Sequence, residues 1–345
     1  NKAVQSRYNL HGTIMCNSDA VDIDRLSRDI RWLVKAFPNS EFFKFVIYIG
    51  DCQHWWERIF PVAESLIRSV ASTRRRKQED VAKRLSVTIH GKFTGDFPTD
   101  SVADMLIKHS ISLSYDTDRS LGIATENINK SVLKALTNFG FRLPATVYIT
   151  KKSEAIDDLL KTCERLLIEN QYSGLSVLPI CSHPEFSETH IDLIPDLDRY
   201  LEILLCIYEL FPFYNDVFMP IVNVMSRVAS DCGDKQDVTE VCVLVQGDGK
   251  VRKFNKLPFL ASDATTLKFL SDIDERIRIR QQLIQVVEPT FGLLPRCAKC
   301  PKLKLCGGTE LGAMSNTETA SDLICGQWLV LSDILEKEIS QANKF

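Results

Sequence analysis

Asn9-Leu10-His11-Gly12-Thr13-Ile14-Met15, then residues 23–37, then Phe45-Val46-Ile47-Tyr48-Ile49-Gly50, is the stretch whose reading decides the fold. The outer segments are short and rich in β-branched and aromatic residues, whereas the middle one puts Ile23, Leu26, Ile30, Leu33, Val34 and Phe37 on one helical stripe. Strand, amphipathic helix, strand is the opening of a βα repeat. Outward from it the alternation continues, with strands predicted over residues 85–90, 111–116, 145–150 and 175–180 and helices over 57–72, 101–109, 126–139 and 154–169. Parallel βα repeats with right-handed crossovers form an open doubly wound sheet or a barrel. With no Gly-rich phosphate loop after any strand, the α/β reading is a partial (βα)6 TIM-like barrel over residues 1–195.

After residue 180 the pattern changes. A Pro-punctuated linker, 181–195, leads into a strongly apolar stretch over 196–230, read as bridging helices broken at Pro212 and Pro220. Val241 to Val245, a Gly247-Asp248-Gly249 turn and Val251 read as a hairpin. A charged helix near 276–287 and a C-terminal helix over 328–338 complete a smaller unit, 231–345. That unit contains Cys297-Ala298-Lys299-Cys300, then Cys306-Gly307-Gly308 and Cys325-Gly326. Three closely spaced thiols plus a fourth make a complete thiolate set for an iron-sulfur cluster or for zinc.

Composition sets the remaining bounds. The 345 residues are 45% hydrophobic and 25% charged with net charge -3, which gives no general pull towards nucleic acid or membrane. No apolar run reaches the roughly 18 residues of a membrane span, and no charged-then-apolar leader is expected at Asn1. Of 11 cysteines only Cys297, Cys300, Cys306 and Cys325 have ligand-like spacing, while Cys163, Cys206 and Cys242 sit singly in apolar segments. The reading is a reducing cytoplasm with one thiolate metal site.

The order of these features resembles the radical S-adenosylmethionine (radical SAM) partial barrel with a SPASM-like C-terminal domain, found in peptide-modifying enzymes. The resemblance rests on Ile14-Met15-Cys16-Asn17 at the first strand end, Gly50-Asp51-Cys52 at the second, His90-Gly91-Lys92 at the third and Ser112-Leu113-Ser114-Tyr115-Asp116 at the fourth, together with the C-terminal C-x2-C-x5-C-G-G run. It implies cofactor-binding positions at Cys16, Asp51, His90 and Asp116, and one 4Fe-4S cluster on Cys297, Cys300, Cys306 and Cys325, with zinc as the alternative metal. It also implies a precursor peptide or an active maturase subunit as partner.

Departures from the family pattern define the expected activity. Active members carry C-x3-C-x2-C after the first strand; here the second and third positions fall on Ala20 and Ile23, and the glycine-rich element is altered to Gly50-Asp51-Cys52. These losses count against S-adenosylmethionine as a ligand. A second auxiliary cluster lacks its ligand where Glu310 stands. The implied protein is a catalytically degenerate, iron-sulfur-containing accessory in maturation of a ribosomally synthesised peptide. The alternative is an active peptide-crosslinking maturase whose cluster loop lies outside this sequence.

Other residues have two readings. Cys16, Cys52, His90, Cys181 and His183 fall at strand ends, where they make either a different metal or redox site or the lining of a former cofactor pocket. Trp55 and Trp56 are either a peptide-binding surface or helix packing. Arg74-Arg75-Arg76-Lys77 is a solvated helix end or a docking patch for an acidic leader. Residues 201–211 close the open side of the barrel or form a subunit interface.

Overall fold

The computed structural model describes residues 7–17, 21–36, 40–50, 54–72, 83–93, 99–116, 130–141, 143–152, 156–169, 172–183, 186, 188–211, 218–219, 221, 238–245, 250–253, 267–268, 300–302 and 318–342. Six βα-type strands lie where the periodicity predicts them: β1 (Arg7–Met15), β2 (Ser40–Gly50), β3 (Leu85–Gly91), β4 (Ile111–Asp116), β5 (Pro144–Ile149) and β6 (Gly174–Pro179). They pair in parallel in that order. Between them run α1 (Ile23–Ala36), α2 (Trp55–Ser72), α3 (Thr99–Lys108), α4 (Lys130–Asn138) and α5 (Ile156–Glu164). The architecture is the α/β partial barrel expected from the repeat.

Strand alternation gives the sheet two unlike faces. Leu10, Ile14, Phe43, Phe45, Ile47, Ile49, Val87, Ile89, Leu113, Val147 and Val177 share one face, and none is more than 2% exposed. They form one core with Leu26, Ile30, Leu33 and Val34 of α1 and Ile59, Val62 and Leu66 of α2. Burying each such side chain stabilises the fold by about 1.5–3 kcal/mol relative to exposure. The opposite parity carries Thr13, Thr88, Ser114, Ser176 and, near the C-terminal strand ends, Tyr48, His90, Asp116 and Tyr148. Polar side chains from β2, β4 and the turn after β6 meet across this second face, so it is the concave one.

Local chemistry fixes the element ends. Asp22 Oδ1 accepts from the Arg25 amide at 3.0 Å, capping α1. Gly91 has φ +154°, and a Cβ there would collide with Ile49 Cγ1 and lie 3.1 Å from the Gly50 nitrogen, so only glycine lets β3 pass β2 at this point. The predicted helix over 154–169 is α5 followed by a wider π turn, Arg165–Glu169.

Beyond β6 the structure departs from the sequence reading in two places. The stretch taken as bridging helices contains α6 (Leu197–Leu210) and a short strand, β7 (Phe218–Met219), parallel to β6. A proline at 212 cannot continue a helix, and Val217-Phe218-Met219 has strand-forming residues. Helix α6 buries Tyr200, Leu201, Ile203, Leu204 and Ile207, and Tyr200 donates to the Val177 carbonyl at 2.9 Å. It therefore packs on the helix-bearing face of β6. Secondly, the hairpin β8 (Val238–Val245) and β9 (Lys250–Lys253) forms as expected, but β8 pairs in parallel with β1 from Arg7 through Ile14. With β10 (Leu267–Lys268), the described sheet runs β10-β9-β8-β1-β2-β3-β4-β5-β6-β7. Helix α7 (Glu318–Ala342) closes the described chain and packs on α6. Among the described residues, no helix is long and apolar enough to cross a membrane.

Candidate site at the barrel mouth

Ile47-Tyr48-Ile49, Leu113-Ser114-Tyr115-Asp116 and Val147-Tyr148-Ile149 have a common design: an apolar residue faces the helices, and the next one, polar, faces the concave side. These four polar side chains, Tyr48, Ser114, Asp116 and Tyr148, meet His90 of β3 and His183 at the C-terminal strand ends. Asp116 Oδ2 is 3.3 Å from His183 Nε2, which β6 delivers through the turn Ile180–Ser182. The Tyr48 hydroxyl donates to Asp116 Oδ2 at 3.5 Å and lies 3.4 Å from His183 Nε2. His90 is held at both ring nitrogens, by Ser114 Oγ and the Tyr148 hydroxyl, each at 3.2 Å. The Tyr148 ring stands edge-on to His183, with centroids 4.7 Å apart.

Apart from Ser114, these side chains lie out of solvent: Asp116 is 1% exposed and His183 7%. Burial pulls the His90 pKa below its ordinary value, against the opposing attraction of the Asp116 carboxylate. The same desolvation, joined by the Asp116 charge, pushes the Tyr148 phenol well above the usual tyrosine range. His90 is therefore a neutral hydrogen-bonding group at neutral pH. Tyr148 is a protonated donor.

The residues singled out from the sequence divide. His90, Asp116 and His183 come together. Cys16 belongs to the other face: it is 2% exposed within the apolar core, and its amide donates to the Tyr48 carbonyl at 2.7 Å. Cys181 is fully buried, and burial pushes its thiol up to about 12, which removes it as a thiolate near neutrality. Asp51, Cys52 and Ala20 lie outside the described residues, as does the basic run 74–77. Trp55 and Trp56 pack: Trp55 is fully buried, with Trp56, Phe60 and Phe93 edge-on around it. Tyr48, Ser114 and Tyr148 were not picked out by sequence reasoning, although each is the polar member of an alternating strand end.

The connection from β1 into α1 is described at residues 16–17 and 21–22. Arg58 of α2 donates to the Val21 carbonyl at 2.7 Å, and Ile23 packs against the core as the first residue of α1. With Ala at 20 and Ile at 23 it offers one thiol where the family motif has three, and that thiol belongs to the core.

At the C-terminus, Cys297 and Cys306 lie outside the described residues, whereas Cys300 and Cys325 are described and half-buried. Cys325 sits on α7. Two residues after Cys300, Lys302 Nζ reaches Asp333 Oδ1 at 2.9 Å and Glu336 Oε1 at 2.7 Å, which pins the cysteine segment along the same helix. Among the described residues no three His, Cys, Asp or Glu side chains group into a metal site.

No family model matches this chain, and no curated protein does either. Solved structures do. Hexahistidine-tagged anSMEcpe with bound AdoMet superposes with a TM-score of 0.51 at 10% identity, covering 95% of this chain and 99% of that one. Native anSMEcpe with bound AdoMet and Cp18Cys peptide gives 0.50 at 11% identity over the same shares. At such identity the likeness is one of fold. The fold is like that of anSMEcpe.

Proposed function

We propose that this chain is a catalytically degenerate radical-SAM-like protein that serves as an accessory in maturation of a ribosomally synthesised peptide, binding the precursor peptide or an active maturase. One observation carries the reading. Where a radical-SAM enzyme grips its reactive cluster, this chain has a core-buried Cys16 at the end of β1, beside a mouth where Tyr48, His90, Asp116, Tyr148 and His183 meet. The likeness in fold to anSMEcpe, with AdoMet and a peptide bound to that protein, supports a peptide as the partner.

The metal in this reading is one 4Fe-4S cluster on Cys297, Cys300, Cys306 and Cys325, with zinc the alternative. This part of the reading rests on the spacing of the four thiols; the Lys302 contacts dock the Cys300 segment on the helix that carries Cys325, two to three turns beyond that residue. Bound there, a cluster would supply one-electron transfer. The chain itself would contribute the thiolates, the docking of that segment and a reducing, cytoplasmic setting.

Anaerobic reconstitution with iron and sulfide, followed by an iron count and an assay for 5′-deoxyadenosine from S-adenosylmethionine, tests this. The expected result is one cluster, lost in Cys300→Ser, and no deoxyadenosine. Deoxyadenosine formation would overturn the degenerate reading in favour of an active maturase. Zinc alone at the thiolates would remove the electron-transfer role.

A further inference from the structure

Tyr48 Oη, Asp116 Oδ2 and His183 Nε2 stand at the corners of a nearly equilateral triangle with edges of 3.3, 3.4 and 3.5 Å. Hydrogen bonds to a carboxylate normally close to about 2.7–2.9 Å. All three edges are longer than that, and three mutual hydrogen bonds are not available to them. With at most one proton on the phenol and one on Nε2, no more than two of the three edges can carry a hydrogen bond of their own.

A shared ion gives this spacing directly. Zinc binds nitrogen and oxygen donors at about 2.0–2.2 Å, and at tetrahedral angles those bond lengths set neighbouring donors about 3.3–3.6 Å apart. We propose that Tyr48, Asp116 and His183 form a binding site for a single divalent transition ion of the zinc class at the barrel mouth. The donors come from β2, β4 and the turn after β6, at the C-terminal ends of the strands, where barrels of this kind build their sites. An imidazole with oxygen donors suits such an ion.

The surroundings fit. Tyr148 stands edge-on to His183, and its hydroxyl is tied to His90, whose other nitrogen is held by Ser114. Through Tyr148 this outer ring packs edge-on against the His183 ring. His183 and Tyr48 also contact edge to face, at 5.6 Å between centroids. Three protein donors leave one tetrahedral position for water or a substrate oxygen. The concave face below the site carries Thr13, Thr88, Ser114 and Ser176 together with the apolar Met15, Val46 and Leu178. The proposal is independent of the C-terminal thiolates and of any role in peptide maturation.

The test is a cobalt titration of the full-length chain after chelator treatment, read by visible absorption and repeated with zinc in competition. The expected result is one equivalent of cobalt with the d–d absorption of a tetrahedral nitrogen and oxygen site, displaced by zinc. Asp116→Asn and His183→Gln should abolish that component and leave any thiolate-to-cobalt charge transfer intact. The proposal is overturned by binding that shows thiolate charge transfer alone, or by an oxygen and nitrogen component unchanged in both variants. Circular dichroism checks the fold of each variant. If neither folds, the spectrum of the unsubstituted chain decides, and absence of the nitrogen and oxygen component overturns the site.

Discussion

Asp116 Oδ2 and His183 Nε2 lie 3.3 Å apart although 67 positions separate them along the chain. One ends β4 and the other follows β6, so their meeting reports the curvature of the whole sheet. Asp116→Leu strips a buried acceptor from both Tyr48 and His183. Tyr48 and His183 remain 3.4 Å apart and can still pair with each other, so urea denaturation should show a loss of roughly 1–3 kcal/mol. A loss within ~0.5 kcal/mol would mean that the pair contributes nothing to the fold.

His90 supplies a pH dependence. Its folded-state pKa lies below the ordinary 6.5, because burial disfavours the charged ring. Between the two values the unfolded chain binds a proton that the folded chain does not, so this contribution is full above about pH 6.5 and is lost as pH falls. Urea midpoints measured from about pH 7.5 to about pH 5 should drop more steeply for the natural chain than for His90→Gln. Parallel slopes would refute it.

Gly326, beside Cys325 on α7, faces α6 at close range. A Cβ there would overlap Leu197 Cδ2 and come within 3.0 Å of Cδ1. Gly326→Val should therefore destabilise the chain by about 1–3 kcal/mol through overpacking. Leu197→Ala in the same chain should restore part of that loss, since the two sites touch. Additive effects in the double variant would show that the close approach is not what costs stability.

Lys302 offers a test of the proposed C-terminal metal site that leaves every thiol in place. Its two ion pairs are partly exposed, and Lys302→Met should cost under about 1 kcal/mol in global stability. Metal retained per chain after a chelator challenge should nevertheless fall, because the Cys300 segment loses its hold on α7. Retention equal to that of the natural chain would separate the clamp from the site.

Much of the scaffold could be read along the chain. The stripe from Ile23 to Val34 and runs such as Phe45 to Gly50 gave all six βα strands, within a few residues at each end. Of the two readings open for Trp55 and Trp56, the packing one holds. The mouth was partly legible: His90, Asp116 and His183 were named from their places at strand ends. Tyr48, Ser114 and Tyr148 were missed because a tyrosine or serine in an apolar run reads as strand filling until its face is known. Cys16 looked like the first ligand of a motif, but strand parity turns it into the core.

Sequence alone determined the periodicity, and with it the parallel barrel and its apolar helix-bearing face, because burial of alternate residues is a local property of each strand. It also determined where thiols stand and where they are missing. Only the tertiary structure decided that β8 lies beside β1, that β7 extends β6 and that three donors from distant strands converge to within 3.5 Å. Those relationships are set by strand order and sheet curvature, which arise from contacts between segments far apart in the chain and leave no periodic trace within any one of them.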